Sequence, residues 1–128
     1  FYADWDRTHS FNSSLEYRII PNLKTFLNLT LSSGSPNRLY FLGVEEQQRL
    51  DSYQRVDVGV EYETEFEGME MEFNFSIFNL FDQQNTWYRE LNLVIDTSAP
   101  VSQRRLTSQA VNVYDLGIQP SFNINIRF

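Results

Sequence analysis

Tyr114-Asp115-Leu116-Gly117-Ile118-Gln119-Pro120-Ser121-Phe122-Asn123-Ile124-Asn125-Ile126-Arg127-Phe128 carries a ring or a branched chain at every even position, and a polar residue or glycine at every odd one. Successive side chains of a strand point to opposite faces, so this period of two predicts a β-strand with one dry and one wet side. At about 3.3 Å per residue the stretch runs to roughly 50 Å, more than the about 9–11 residues that a tilted strand needs to cross a bilayer. The closing strand is expected over 111–128. What its apolar side meets, a protein core or lipid, decides the fold.

The same alternation recurs upstream. A strand over about 10–20 sets Phe11, Leu15, Tyr17 and Ile19 against Asn12, Ser14, Glu16 and Arg18. A second, about 23–33, sets Leu23, Leu27, Leu29 and Leu31 against Lys24, Asn28, Thr30 and Ser32, with Phe26 out of pattern on the polar side. Ile20-Pro21-Asn22 between them reads as a tight turn that pairs Ile19 with Leu23, Tyr17 with Thr25 and Leu15 with Leu27. A third strand (about 54–66) and a fourth (about 69–81, with 86–95 as an outward extension) flank the two-residue hairpin Glu67-Gly68. That hairpin pairs Phe66 with Met69, Tyr62 with Phe73 and Val60 with Phe75. Residues of about 34–53 and 96–109 read as long polar loops. The expectation is all-β: about five antiparallel strands, joined by short, long, short and long connections.

Composition narrows the class. The 128 residues hold 10 basic and 17 acidic side chains, a net charge of −7, which argues against nucleic acid as a partner. There is no cysteine, so disulfides and thiolate metal sites are excluded. No run of about 18 apolar residues is present for a membrane helix, although a barrel strand gives only a weak hydropathy signal. The chain begins at Phe1 rather than methionine, and is expected to be a piece of something longer.

A soluble β-sandwich also alternates apolar with polar. Three features favour a lipid-facing sheet instead. Lys24 is the only lysine, whereas solvated sheet faces and edges usually carry several. The strands are long. Aromatics gather toward the strand ends, with Tyr17, Phe66 and Phe128 at one level and Tyr53, Phe81, Trp87, Tyr88 and Tyr114 at the other, as in the interfacial girdles of membrane barrels. Pro120 counts against a regular strand, since it lacks an N–H. Short turns on one side and long loops on the other match an outer-membrane barrel with its long loops outside.

The segment Leu116-Gly117-Ile118-Gln119-Pro120-Ser121-Phe122 through Phe128 resembles the last strand of TonB-dependent outer-membrane receptors, and Asn79-Leu80-Phe81-Asp82 resembles part of the penultimate one. Trp87-Tyr88-Arg89-Glu90 and Asp6-Arg7-Thr8-His9-Ser10-Phe11-Asn12 are similar to the Bacteroidota branch. The resemblance implies an antiparallel transmembrane β-barrel of about twenty-two strands around a plug, of which this chain is the carboxy-terminal part. It implies energised uptake of a large or scarce ligand across the cell outer membrane of a Gram-negative bacterium. The implied partners are outer-membrane lipid, the remainder of the barrel and its plug, a TonB-type energy coupler, the barrel assembly machinery reading Phe128, and a surface lipoprotein of SusD type. A barrel that only scaffolds a complex, and a soluble binding module, are the other two readings.

Chemistry is concentrated beside Glu67-Gly68, where the register opposes Glu65 to Glu70 and Glu63 to Glu72 on the polar face. Opposed like charges need relief. Arg127, expected on the neighbouring strand, is predicted to pair with Glu70 or Glu72; solvated carboxylates at a wet mouth are weighed against a hard cation such as Ca²⁺. Asp57, Glu61, Asn74, Gln119 and Asn123 are predicted to line the lumen. Trp87, Tyr88 and Arg89 suit an extracellular ligand surface, and the two aromatics suit an interfacial belt as well. One histidine, His9, with no paired acid or base at useful spacing, points away from an enzyme, and no cofactor or metal is implied.

Overall fold

The computed structural model describes residues 6–41, 44–95, 97, 98, 100–103 and 106–128, and the side chains of all these except 38–41, 44–47 and 103. The described residues form antiparallel β-structure with one 3₁₀ turn, Val101–Gln103. Five strands make one sheet in the order β1-β2-β5-β6-β9: β1 (Ser10–Ile20), β2 (Leu23–Ser32), β5 (Tyr53–Phe66), β6 (Met69–Phe78) and β9 (Gln119–Arg127). Two hairpins stand beyond it, β3 (Pro36–Phe41) with β4 (Val44–Arg49), and β7 (Thr86–Ile95) with β8 (Leu106–Tyr114).

Turn chemistry sets the register. Glu67 and Gly68 both have positive φ, 52° and 80°, as a two-residue type I′ turn requires. The observed pairs Phe66↔Met69, Tyr62↔Phe73 and Val60↔Phe75 are those the hairpin spacing predicts. Between β1 and β2, Tyr17↔Thr25 and Leu15↔Leu27 form as expected, but a register shift after Arg18 makes Ile20, not Ile19, the partner of Leu23. The shift places one extra residue on β1 just before the Pro21 turn, where the ladder ends.

Phe26, the residue out of pattern on β2, lies opposite Gly59. A Cβ at Gly59 would fall 2.1 Å from the Phe26 ring. The ring therefore occupies the space that the glycine leaves open, and covers a backbone that has no side chain of its own. What looks like a patterning error in one strand is a cross-strand pair in two.

Three boundaries differ from the sequence reading. The span of about 34–53 is not simply a loop but holds β3 and β4, and part of 96–109 belongs to β8; residues 42, 43, 96, 99, 104 and 105 of those spans lie outside the described residues. The fourth strand stops at Phe78, and Thr86–Ile95 forms a second sheet with β8 instead of extending the first. The closing strand is two strands, with Asp115–Ile118 outside any ladder between β8 and β9. Pro120 is accommodated in β9, opposite Ile77, without a shift of register.

The two ribbons, β2-β3/β4-β5 and β6-β7/β8-β9, thus break on both of their strands, and side chains take over the ladder there. Asn85 accepts from Gln54 N (2.9 Å) and donates to Gln54 O (2.8 Å), imitating one β pair. Asn37 does the same for Arg89, at 3.1 and 3.3 Å. At the first break Gly34 passes so close to Leu50 that a Cβ would lie 1.7 Å from the Leu50 carbonyl oxygen, so only glycine fits. Leu50, Ser32, Asn79 and Asn85 are buried in this belt.

Elsewhere the described residues supply no second layer. Leu50 is the one buried large hydrophobic residue among those described, while Tyr17, Leu15 and Phe122 are 60–65% exposed. Among the described residues the five-stranded sheet is held by its own ladders and by the belt bonds at one end, with its apolar face open and β1 and β9 at its edges.

Candidate functional site

The polar face of the sheet is assembled row by row from the register. Asp57, Glu61 and Asn74 lie on β5 and β6 with Gln119 and Asn123 on β9; Glu61 stands opposite Asn74, and Asn74 opposite Asn123. Toward the Glu67-Gly68 end the opposed pairs Glu63↔Glu72 and Glu65↔Glu70 are as the hairpin dictates.

Their relief differs from the expected one. Arg127 stands across from Glu70 in the β6–β9 ladder, but it makes no ion pair with Glu70 or Glu72 within 4.0 Å. An exposed arginine at a strand end loses side-chain freedom when it pairs and gains little in high dielectric. Direct contacts come from the lone lysine and from amides, while the Arg127 charge acts on Glu72 from further off. Lys24 Nζ reaches Glu61 Oε1 at 2.6 Å and Glu63 Oε1 at 2.9 Å, from the adjacent strand. Glu72 accepts from Asn74 Nδ2 at 2.5 Å and from Asn125 Nδ2 at 3.2 Å. One cation and two amides therefore spread the charge of the carboxylates across β2, β5, β6 and β9. Among the described residues no group of three or more acidic, His or Cys side chains is arranged to hold a metal ion. Lys24 was legible in the sequence as the sole lysine, but its partners required the β2–β5 register.

At the other end of the sheet a second network centres on Arg55. Its Nε donates to Asp57 Oδ2 (3.1 Å) and its Nη1 to Tyr53 Oη (2.9 Å), while Cζ lies 4.4 Å from the centre of the Phe78 ring. Tyr53 in turn donates to Asp115 Oδ2 at 2.9 Å, tying β5 to the break before β9. Asp57 also accepts from the Asn79 backbone N–H at 3.0 Å. Bonded on two sides and stacked on a third, the guanidinium is held in one orientation.

Trp87, Tyr88 and Arg89 sit on β7 at a register irregularity between Thr86 and Tyr88. The two rings meet edge-on, with centroids 5.4 Å apart, and Trp87 is 69% exposed. Arg89 is engaged within the protein: Nε donates to Asn112 Oδ1 (2.7 Å), Nη1 to Gln48 Oε1 (3.1 Å), and Nη2 lies 3.7 Å from Asp51. It joins the β7–β8 hairpin to the β3–β4 hairpin, so the three residues divide between an open aromatic surface and a strut.

Between the Arg55 network and Trp87 lies a polar cleft of about 300 Å³, to which Ser32, Arg7 and Asp51 also contribute. A second cavity of about 340 Å³ lies over the glutamate rows near Arg127. Compared with known proteins, the chain matches no family model, no curated protein and no solved structure.

Proposed function

We propose that this chain is a wall segment of an outer-membrane β-barrel of the TonB-dependent receptor kind, a transporter and not an enzyme. The single observation that carries the reading is the single-layer sheet whose apolar face is left open. A soluble sandwich would bury that face against a second sheet. The strands of the sheet, 9 to 14 residues long, match the about 9–11 needed to cross a bilayer at a tilt of about 45°. Five strands fall short of the eight of the smallest bacterial barrels, so further strands complete the wall at the β1 and β9 edges.

In this reading the polar face lines the lumen, with the lysine–glutamate rows toward the periplasm and the hairpins outside. Ligand would be held by outer hairpins and plug, then released inward when a TonB-type coupler pulls the plug. The barrel assembly machinery and a SusD-type surface lipoprotein are the protein partners the resemblance adds. A barrel that only scaffolds a complex shares the same wall and lacks uptake.

The test is lipid contact by alternate residues. Single tryptophans at Phe75 and Phe122 should be quenched by lipids brominated on their acyl chains, and those at Ser76 and Ser121 should not. A chain that is monomeric in water without detergent, with no quenching at any of the four sites, would overturn the proposal. Uptake by the intact protein, lost when the inner-membrane energy source is removed, separates transporter from scaffold.

A further inference from the structure

Asn37 and Gln48 are partners in the β3–β4 ladder, so their side chains share one face of that hairpin. Both reach the same residue of the other hairpin. The Asn37 amide brackets the Arg89 backbone, accepting from its N–H at 3.1 Å and donating to its carbonyl at 3.3 Å. Gln48 Oε1 accepts from Arg89 Nη1 at 3.1 Å, and Asp51, just past β4, lies 3.7 Å from Nη2. The remaining nitrogen, Nε, donates at 2.7 Å to Asn112, the partner of Arg89 in the β7–β8 ladder. Arg89 is thus bonded through backbone and side chain to one hairpin, while its Nε ties it across the other. The side chain is only 22% exposed, which keeps these bonds partly out of water.

What these bonds hold has little other support. The two hairpins are separate two-stranded sheets with no ladder between them, and neither belongs to the five-stranded sheet. Of the hairpin strands, β3 and β7 are the ones that pack closely on a strand outside their own hairpin, and they pack on each other. A two-stranded hairpin alone is marginally stable at best in water. Each hairpin therefore depends on the other, and the dependence is concentrated at Arg89. The belt meanwhile fixes their roots by bonds of its own, from Asn79, Asp82 and Asn85 at the root of β7–β8 and from Leu50 to Ser35 at that of β3–β4. Beyond those roots the pair can loosen without disturbing the ladders of the sheet.

We infer that β3–β4 and β7–β8 are one cooperative unit, clasped at Arg89, which opens as a whole and apart from the five-stranded sheet. An event at one hairpin, a bound partner or a cut, is then felt at the other, although Asn37 and Arg89 stand 52 residues apart in the chain. Coupling of this kind is reciprocal: a bond removed on either side loosens both hairpins. The inference goes beyond the reading as a wall segment, and holds whether or not the apolar face meets lipid.

The experiment follows amide hydrogen exchange, peptide by peptide, in the full-length protein, in buffer or in detergent. Asn37→Ala, made in β3, should speed exchange about ten-fold or more in β7–β8 as well as in β3–β4, through the loss of two bonds. Arg89→Ala, made in β7, should do the same in β3–β4. In both variants the amides of β5, β6 and β9 should keep their rates. The double variant should add little to Arg89→Ala, because both substitutions break one clasp. Gln48→Ala removes a single acceptor, and should still quicken both hairpins about three-fold where a harsher variant does not fold. Acceleration confined to the hairpin that carries the substitution, or none at all, would show two independent arms and overturn the inference. So would equal acceleration in the sheet, or strictly additive effects in the double variant.

Discussion

Replacing Asn79 tests whether side-chain amides hold the belt together. Asn79 is 1% exposed and sits at φ 52°. Its Nδ2 donates to Gln83 O (3.0 Å) and Leu116 O (3.1 Å), and its Oδ1 accepts from Gln83 N (3.0 Å). At about 0.5–1.5 kcal/mol net for each hydrogen bond, Asn79→Gly should cost roughly 2–4 kcal/mol, toward the lower end because Gln83 and Leu116 can turn partly to water. Asn79→Ala loses the same bonds and also places a Cβ in the left-handed region, at about 1–2 kcal/mol. Against that, alanine lacks the extra unfolded-state freedom of glycine, about 0.4–1 kcal/mol. Alanine should therefore end up less stable than glycine by roughly 0.5–1 kcal/mol. Urea unfolding followed by tryptophan fluorescence gives the ranking, wild type above Gly above Ala. Hydrogen exchange adds the location: the amides of Gln83 and Ile118, the latter bonded to Asp82 Oδ1 at 2.9 Å, should exchange about thirty-fold faster for each 2 kcal/mol of local opening. If both variants stay within about 0.5 kcal/mol of wild type, or alanine equals glycine, the amide account of the belt is wrong.

Gly59→Ala puts a methyl group 2.1 Å from the Phe26 ring, and should cost about 1–3 kcal/mol by overpacking. In a Phe26→Ala background the same change should cost much less, so strict additivity in denaturant unfolding would exclude the ring-on-glycine pair. Lys24→Gln should lower the unfolding midpoint by leaving Glu61 and Glu63 without their shared cation. Added Glu63→Gln, or high salt, should recover part of the loss; a midpoint unmoved by Lys24→Gln would show that the glutamate rows need no counter-charge.

Period-two patterning made the five-stranded sheet legible, because one dry face leaves little choice of register once a turn is placed. Glu67-Gly68 fixed β5 against β6, and the glutamate oppositions came with it. The hairpin β3–β4 escaped notice because neither strand alternates in sequence: Leu39-Tyr40-Phe41 is an unbroken apolar run, and Glu45 to Arg49 an unbroken polar one. The break before Gln119 was equally hidden. Alternation runs through Asp115–Ile118 unchanged, and the ladder there is interrupted by bonds from Asn79, Asp82 and Asn85 that no local pattern encodes. Arg127 was placed in the right row, where its charge acts on Glu72 across the β6–β9 ladder, but register does not report whether two long side chains will close to direct contact. Lys24 was noticed for its rarity alone, and its bridging of Glu61 and Glu63 depended on the neighbouring strand.

The side-chain amides that stand in for backbone at the breaks have a consequence for how the chain can vary. In an uninterrupted strand, inserting or deleting one residue turns every later side chain to the opposite face. Here Asn37 and Asn85 pin backbone partners by their amides, so counting starts afresh on either side of the belt. The hairpins beyond the belt can then lengthen, shorten or be exchanged for others while the alternation of β5, β6 and β9 stays in phase. The belt works as a phase lock, giving the hairpin tips freedom to diverge beyond a sheet whose parity is kept.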